Sequence, residues 1–230
     1  MTGTQLQFGR KQKGWNQEQA ASWLGVSQPY LSLLEKGERR VPERLARKAA
    51  SVYGLSAATL PVETTRDKIR SVDEEELALD LSALGYPGFT HLRRRHQKKN
   101  PAEVLFTALG AANLDVRLIE ALPWLLLTFP ELDWQWLVTM AKIHDLQNRL
   151  GFITAVAHQI ARSGGDTSKA VLLGQREKHL AESRLAREDT LCHDSLTEVE
   201  RRWLRKHRPP AAKQWGLLTD LIPEHLSYAA

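Results

Sequence analysis

Only one cysteine, Cys192, stands among 230 residues, so no intramolecular disulfide can form and a reducing compartment is expected. Long apolar runs are missing too. The most apolar stretch, residues 122–129, falls well short of the ~20 residues a membrane helix needs and contains Pro123. No apolar segment follows residues 1–12, so nothing there reads as a signal peptide, and a soluble cytoplasmic protein with no membrane contact is expected. Catalytic motifs are equally scarce. There is no phosphate-binding loop, no HExxH and no cysteine pair at metal spacing, so the sequence predicts no catalytic residue, no metal and no cofactor. No internal repeat of useful length is evident.

What is present is an ordinary globular mixture, 42% apolar and 26% charged, enough to bury a core and too apolar for wholesale disorder. The length exceeds the usual ~100–150 residues of one domain, so two are expected. The formal charge of +5 is distributed unevenly. Residues 1–70 hold 12 Lys/Arg against 6 Asp/Glu, while residues 71–100 are balanced and residues 101–230 carry a net −1. A basic excess confined to the N-terminal region suits an anionic partner such as nucleic acid, because each phosphate contact releases counterions. Charge alone leaves open an inert basic surface.

The stretch GWNQEQAASWLGVSQPYLSLLEKGERR, residues 14–40, divides into two short helices and a tight turn. Asn16 can cap the first, and Ala20, Ala21 and Leu24 share one face by the i, i+3, i+4 rule. Gly25 supplies the backbone freedom for the turn. Ser27 can cap the second helix, Pro29 falls in its first turn where a missing amide costs little, Leu31 and Leu34 give the apolar contacts, and Gly37 ends it. Two helices joined in this way can lay the second in the DNA major groove, whose width admits a helix.

These residues resemble the Cro/C1 (XRE-type) helix-turn-helix domains of bacterial and phage repressors. The shared pattern is Leu6 and Arg10, Gln17-Glu18, Ala21, Leu24-Gly25-Val26-Ser27, Leu31 and Glu35-Lys36-Gly37, continuing through Arg39, Pro42, Leu45, Ala49 and Tyr53-Gly54-Leu55-Ser56 to about Leu60. The resemblance implies a bundle of about five helices. It departs from the pattern at Gly9, where an apolar core residue is usual, so a frayed first helix is expected, and at Leu33, where a polar base-reading side chain is common. It further implies that Gln17 binds backbone phosphate and braces Gln28, and that Gln28 reads bases. An amide offers a donor and an acceptor at the spacing of adenine N7 and N6. Ser27, Pro29, Tyr30 and Leu33 would line the same groove. Lys36, Arg39 and Arg40 would meet phosphates, which position a domain without reading sequence.

Beyond the motif, residues 61–68 form a polar separator and residues 73–85 a plausible acidic-started helix. The basic run at residues 93–100 reads either as an arm on flanking DNA or as a solvated connector. Helices are expected at residues 102–111, 115–127, 133–161, 168–189 and 211–221, with no strand pattern. Trp124, Trp134 and Trp136, with Leu125, Leu126, Leu137, Ile143 and Leu146, suit a packed core or a ligand pocket. The stripe Leu172, Leu173, Leu180 and Leu185 could join two chains or pack on its own domain, and Arg184 and Glu188 are spaced as an i, i+4 pair.

An enzymatic rival rests on His144-Asp145, which resembles the adjacent His-Asp pair of metal phosphohydrolases. His91 or His96, and Asp166 or Asp194, could complete the set by sequence order. The glycine-lysine that often follows in that family is absent, residues 146–149 reading Leu-Gln-Asn-Arg. Cys192 would sense oxidants only if its pKa were lowered.

The expected fold is all-α, an N-terminal lambda-repressor-like helical bundle followed by a larger helical C-terminal domain. Residues 1–65 would form the DNA-binding domain and residues 66–100 a linker with a short helix and a basic segment. Residues 101–230 would form the dimerisation, effector or partner-binding domain. The expected partner is double-stranded DNA, bound by a homodimer. Function then reads as a repressor on an inverted-repeat operator, or as an antitoxin that binds a partner protein and autoregulates its operon.

Overall fold

In the computed structural model, residues 1–62, 72–92 and 96–229 are described. The chain forms two compact units, Met1–Thr64 with Lys98–Asn100, and Thr65–Gln97 with Pro101–Ala230. The fold is all-α. Among the described residues the regular strands are β1 (Asp189–Thr190) and β2 (Leu217–Leu218), two residues each and paired in parallel.

The first unit contains α1 (Gly3–Gln12), α2 (Gln17–Leu24), α3 (Gln28–Glu35) and α4 (Glu43–Tyr53), followed by a 3₁₀ turn at Ala57–Thr59. Leu6, Leu24, Leu31, Leu34, Leu45 and Tyr53 meet in one core. The expected fraying of α1 does not occur. Thr2 and Gln5 close a reciprocal capping box, with the Gln5 amide donating to Thr2 Oγ1 at 3.2 Å. At Gly9 the absent side chain is what the core requires, since a Cβ there would sit 2.7 Å from Tyr53 Cδ2. Tyr53 fills the space an apolar side chain would have taken, so α1 and α4 approach closely.

Lys98–Asn100 also belong to this unit. Asn100 is buried and donates through Nδ2 to the carbonyls of Ala58 (3.2 Å) and Leu60 (2.6 Å), while Arg47 donates to the Lys98 carbonyl at 2.8 Å. In the basic run, residues 93–95 lie outside the described residues, as do residues 63–68 of the separator and residues 69–71 after it.

In the second unit, α5 (Glu74–Leu84), within the segment read as a linker, packs on α6 (Pro101–Leu109) and α7 (Val116–Thr128). The helix expected over residues 133–161 is two, α8 (Trp134–Ile143) and α9 (Gln147–Ser163). Asp145 takes a left-handed conformation at φ 58°, and the Leu146 amide closes back on the Ala141 carbonyl at 2.8 Å. Asp tolerates that region better than most residues, and apolar periodicity runs unbroken across the joint, so no sequence signal marked it. The break leaves Ile143 63% exposed, contrary to its expected place in the core, whereas Leu125, Leu126, Leu137 and Leu146 are buried.

α10 (Thr167–Ala181) starts after the expected linker and lays Leu173 and Leu180 against α9. It stops eight residues earlier than expected, so Arg184 and Glu188 do not pair as helical neighbours. Glu188 instead meets Arg205 at 2.9 Å, and Arg184 donates to the Gln214 carbonyl. The chain continues through β1, α11 (Glu198–His207), α12 (Pro210–Gln214) and β2, so the last expected helix is shortened at Trp215. Trp215 is fully buried against Gly151 of α9, where any Cβ would overlap the indole at 2.2 Å.

Arg149 ties these segments together. It donates to the carbonyls of Leu109 (3.0 Å) and Ala111 (2.8 Å) and forms ion pairs with Asp189 (3.1 Å) and Asp194 (3.2 Å). The end of α6 and the start of β1 are thereby held to α9.

Asn100→Ala in the full chain should destabilise the first unit by about 1–3 kcal/mol, because buried carbonyls lose a donor that water cannot replace. Urea unfolding followed by tryptophan fluorescence checks this, and an unchanged midpoint would show that Asn100 is not a fastening residue.

Candidate nucleic-acid interface

The motif is built on a helix pair with matched caps. Asn16 accepts from the Gln19 amide at 2.8 Å and opens α2, Gly25 closes it at φ 73°, and Ser27 Oγ accepts from the Tyr30 amide at 3.4 Å to open α3. Pro29 is the second residue of α3, where no intrahelical amide is required. Lys48 of α4 adds a donor at the other end, its Nζ reaching the Leu24 carbonyl at 2.9 Å.

Beneath the exposed start of α3 runs a chain of directed hydrogen bonds. Arg10 binds Glu35 through Nε (2.6 Å) and Nη2 (2.8 Å), and its Nη1 reaches the Trp15 carbonyl at 2.8 Å. Gln17 Nε2 donates to Glu35 Oε2 at 3.0 Å, and Gln28 Nε2 donates to Gln17 Oε1 at 2.8 Å. A carboxylate only accepts, so it turns the Gln17 amide nitrogen inward and its oxygen outward, and that oxygen in turn orients Gln28. The Oε1 of Gln28 and its second N–H take no part in this chain, and an amide oxygen with an N–H are the kinds of group a bidentate contact to adenine employs.

Arg10 and Glu35 are only 8% and 6% exposed. Burial pushes the Glu35 carboxyl up, but hydrogen bonds from Arg10 and Gln17 more than offset it and hold the group below its ordinary value. The hydrogen bond to Glu35 likewise raises Arg10. Both residues belonged to the shared pattern, but their pairing was missed. The signal was there: Arg10 lies four residues after Leu6, and Glu35 four after Leu31, so each charge falls on an apolar helix face where it needs a buried partner.

The other residues singled out from sequence divide by exposure. Ser27, Gln28 and Pro29 are exposed, and Gln17, Tyr30 and Leu33 are half-buried. Lys36, Arg39 and Arg40 follow α3 on exposed backbone and form no ion pair among the described residues. The Arg39 guanidinium lies 5.9 Å from the centre of the Tyr30 ring, within reach of a cation–π contact.

The residues of the enzymatic rival are dispersed to other partners. His144 packs on Phe106 with ring centres 5.3 Å apart, Asp145 faces Arg187 at 3.5 Å, His96 meets Asp80 at 2.6 Å and Asp194 meets Arg149 at 3.2 Å. No group of three or more His, Cys, Asp or Glu side chains suited to a metal occurs among the described residues. Cys192 is fully buried, and burial pushes its thiol up to about 11, so it is not a poised thiolate. No helix among the described residues is long and apolar enough to cross a membrane.

Residues 3–61 match the family model of a helix-turn-helix domain. No curated protein and no solved structure matches the chain. The first unit is thus a helix-turn-helix domain, the fold of DNA-binding regulators, and the match ends at residue 61 and does not extend into the second unit.

Replacing Glu35 with Gln strands the Arg10 charge and should cost about 3–5 kcal/mol of stability, as for other buried pairs that lose one partner. Because Glu35 sits below its unfolded value, its contribution is present above the ordinary carboxylate range near ~4 and is lost as pH falls through the folded value. Urea midpoints measured from neutral to acid pH should therefore fall more steeply for the native chain than for Glu35→Gln. Parallel curves would mean that Glu35 is not ionised in the folded state.

Proposed function

We propose that the chain is a transcriptional repressor that binds an inverted-repeat operator as a homodimer, with Gln28 reading bases from α3. The observation that carries this reading is the orientation of Gln28 by a buried carboxylate two hydrogen bonds removed, with three basic residues immediately beyond the same helix that form no ion pair among the described residues. A base-reading amide held in advance loses little conformational freedom on binding. Ser27 and Tyr30 border it at the helix start, while Pro29 and Leu33 offer apolar surface suited to a thymine methyl. Lys36, Arg39 and Arg40 supply phosphate contacts that fix register. Gln17 braces Gln28 and, at the N-terminus of α2, can also approach phosphate.

One such domain covers few base pairs, so a second copy on a half-site about one helical turn away doubles the contact and makes the operator symmetric. Occupying a promoter in this way blocks transcription. The working compartment on this reading is the cytoplasm, and the second unit carries dimerisation or response to an effector.

Selection from genomic fragments by the purified chain, followed by titration at physiological salt, tests the proposal. An enriched inverted repeat bound at least ~1000-fold more tightly than scrambled DNA is the expected result. Absence of any enriched sequence would instead favour a protein partner, as in an antitoxin. On the enriched site, Gln28→Ala should lose about 1–3 kcal/mol of specific binding with non-specific affinity nearly intact. Equal losses on both DNAs would remove Gln28 from base readout. Arg39→Ala should weaken binding to any sequence and lower the salt slope by about one unit. An unaltered slope means that Arg39 touches no phosphate.

A further inference from the structure

The second unit contains a groove of about 570 Å³, within the roughly 300–1,000 Å³ typical of small-molecule sites. It runs between α7, α11 and the segment around β2. Its floor is apolar and buried, formed by Ile119, Leu191, Leu204 and Leu218. Its walls are apolar and exposed: Val116 at 60%, Val199 at 76% and Trp203 at 51%. Seven large apolar side chains are conspicuously exposed among the described residues, and these three line one concavity, so the exposure is not scattered surface.

The polar lining has one sign. Glu120, Glu200 and Asp220 contribute carboxylates, His193 and His225 contribute imidazoles, and among the described residues neither lysine nor arginine lines the groove. This occurs in a chain of net charge +5. Glu120 and Asp220 form no ion pair among the described residues. Glu200 uses Oε2 to accept from the Thr197 amide and hydroxyl, both at 2.7 Å. The Trp203 ring is steadied by stacking on His207, with centroids 4.5 Å apart. An indole and carboxylates that line one groove together attract cations and disfavour anions, and the apolar floor favours a ligand with a hydrophobic body.

We propose that this groove binds a small organic cation, an aromatic or alkyl-rich ammonium-type molecule whose apolar part covers Ile119, Leu204 and Leu218 and whose charge faces Trp203, Glu120 and Asp220. The inference goes beyond the DNA reading and does not depend on it, since binding is measured without DNA.

Tetraphenylphosphonium and tetraphenylborate have nearly the same shape and opposite charge, so calorimetric titration of the full chain with each separates charge selection from general stickiness. Saturable 1:1 binding of the phosphonium, at least tenfold tighter than the borate, is expected. The net positive charge of the protein would by itself favour the borate, so the expected order reports on the groove. The exposed Trp203→Ala, and separately the isosteric pair Glu120→Gln with Asp220→Asn, should each weaken phosphonium binding at least about threefold with helical circular dichroism unchanged. Should Trp203→Ala fail to fold, the paired amide variant carries the test alone. No saturable phosphonium binding, equal or tighter borate binding, or wild-type affinity in the amide variant would overturn the proposal. So would phosphonium affinity that falls as protein concentration rises, which would show a second copy of the chain seated in the groove.

Discussion

The Glu35 carboxylate is the fixed point of the helix-turn-helix unit. An ionised carboxylate has no proton to give, so every group that touches it must present a donor. Arg10 does so from α1 and Gln17 from α2, and Glu35 itself sits at the end of α3. One side chain thus fixes the mutual register of three helices, and its influence passes through Gln17 to the surface at Gln28. A buried ion pair is a poor source of net stability, because desolvation offsets most of the attraction. Its value here lies in direction: apolar contacts among Leu6, Leu31 and Leu34 would hold the helices together but would leave the two amides free to turn.

The second unit answers the same problem with the sign reversed. There the buried charge is the Arg149 guanidinium, and the partners are backbone carbonyls at the end of α6 and carboxylates around β1. A guanidinium carries five N–H groups in a rigid fork, so it can satisfy several orphaned acceptors that approach from different elements. This suits a region in which regular structure gives way to a two-residue strand pair. Cys192 lies beside the fork, its thiol donating to the Ala108 carbonyl at 3.3 Å, and serves as a small buried side chain.

Much of this was legible in the sequence, for identifiable reasons. The caps at Asn16 and Ser27, the turn at Gly25 and the first-turn Pro29 are local signals, read within a few residues, and each was found where expected. The all-α class and most helices followed from apolar periodicity. What escaped was non-local or ambiguous at short range. Gly9 looked like a weakness in α1 because Tyr53, which occupies its space, lies 44 positions along the chain. Asp145 broke a helix without Gly or Pro, and Trp215 ended one by docking on Gly151. The Arg10–Glu35 pair was recoverable from the position of each charge on an apolar face, but the partner of each could not be named from spacing alone. The polar brace of Gln28 was foreseen only through family resemblance.

The discontinuity of the first unit bears on how such a protein can be rearranged during evolution. Domains recombine most readily when one cut in the gene separates them. Here three residues that follow a 33-residue excursion into the second unit return to complete the first, Asn100 among them. A crossover placed after the helix-turn-helix segment would transfer that domain without Asn100, and one placed after Asn100 would carry α5 away from its neighbours. A single cut in the gene at either place therefore separates residues that complete one unit of the fold.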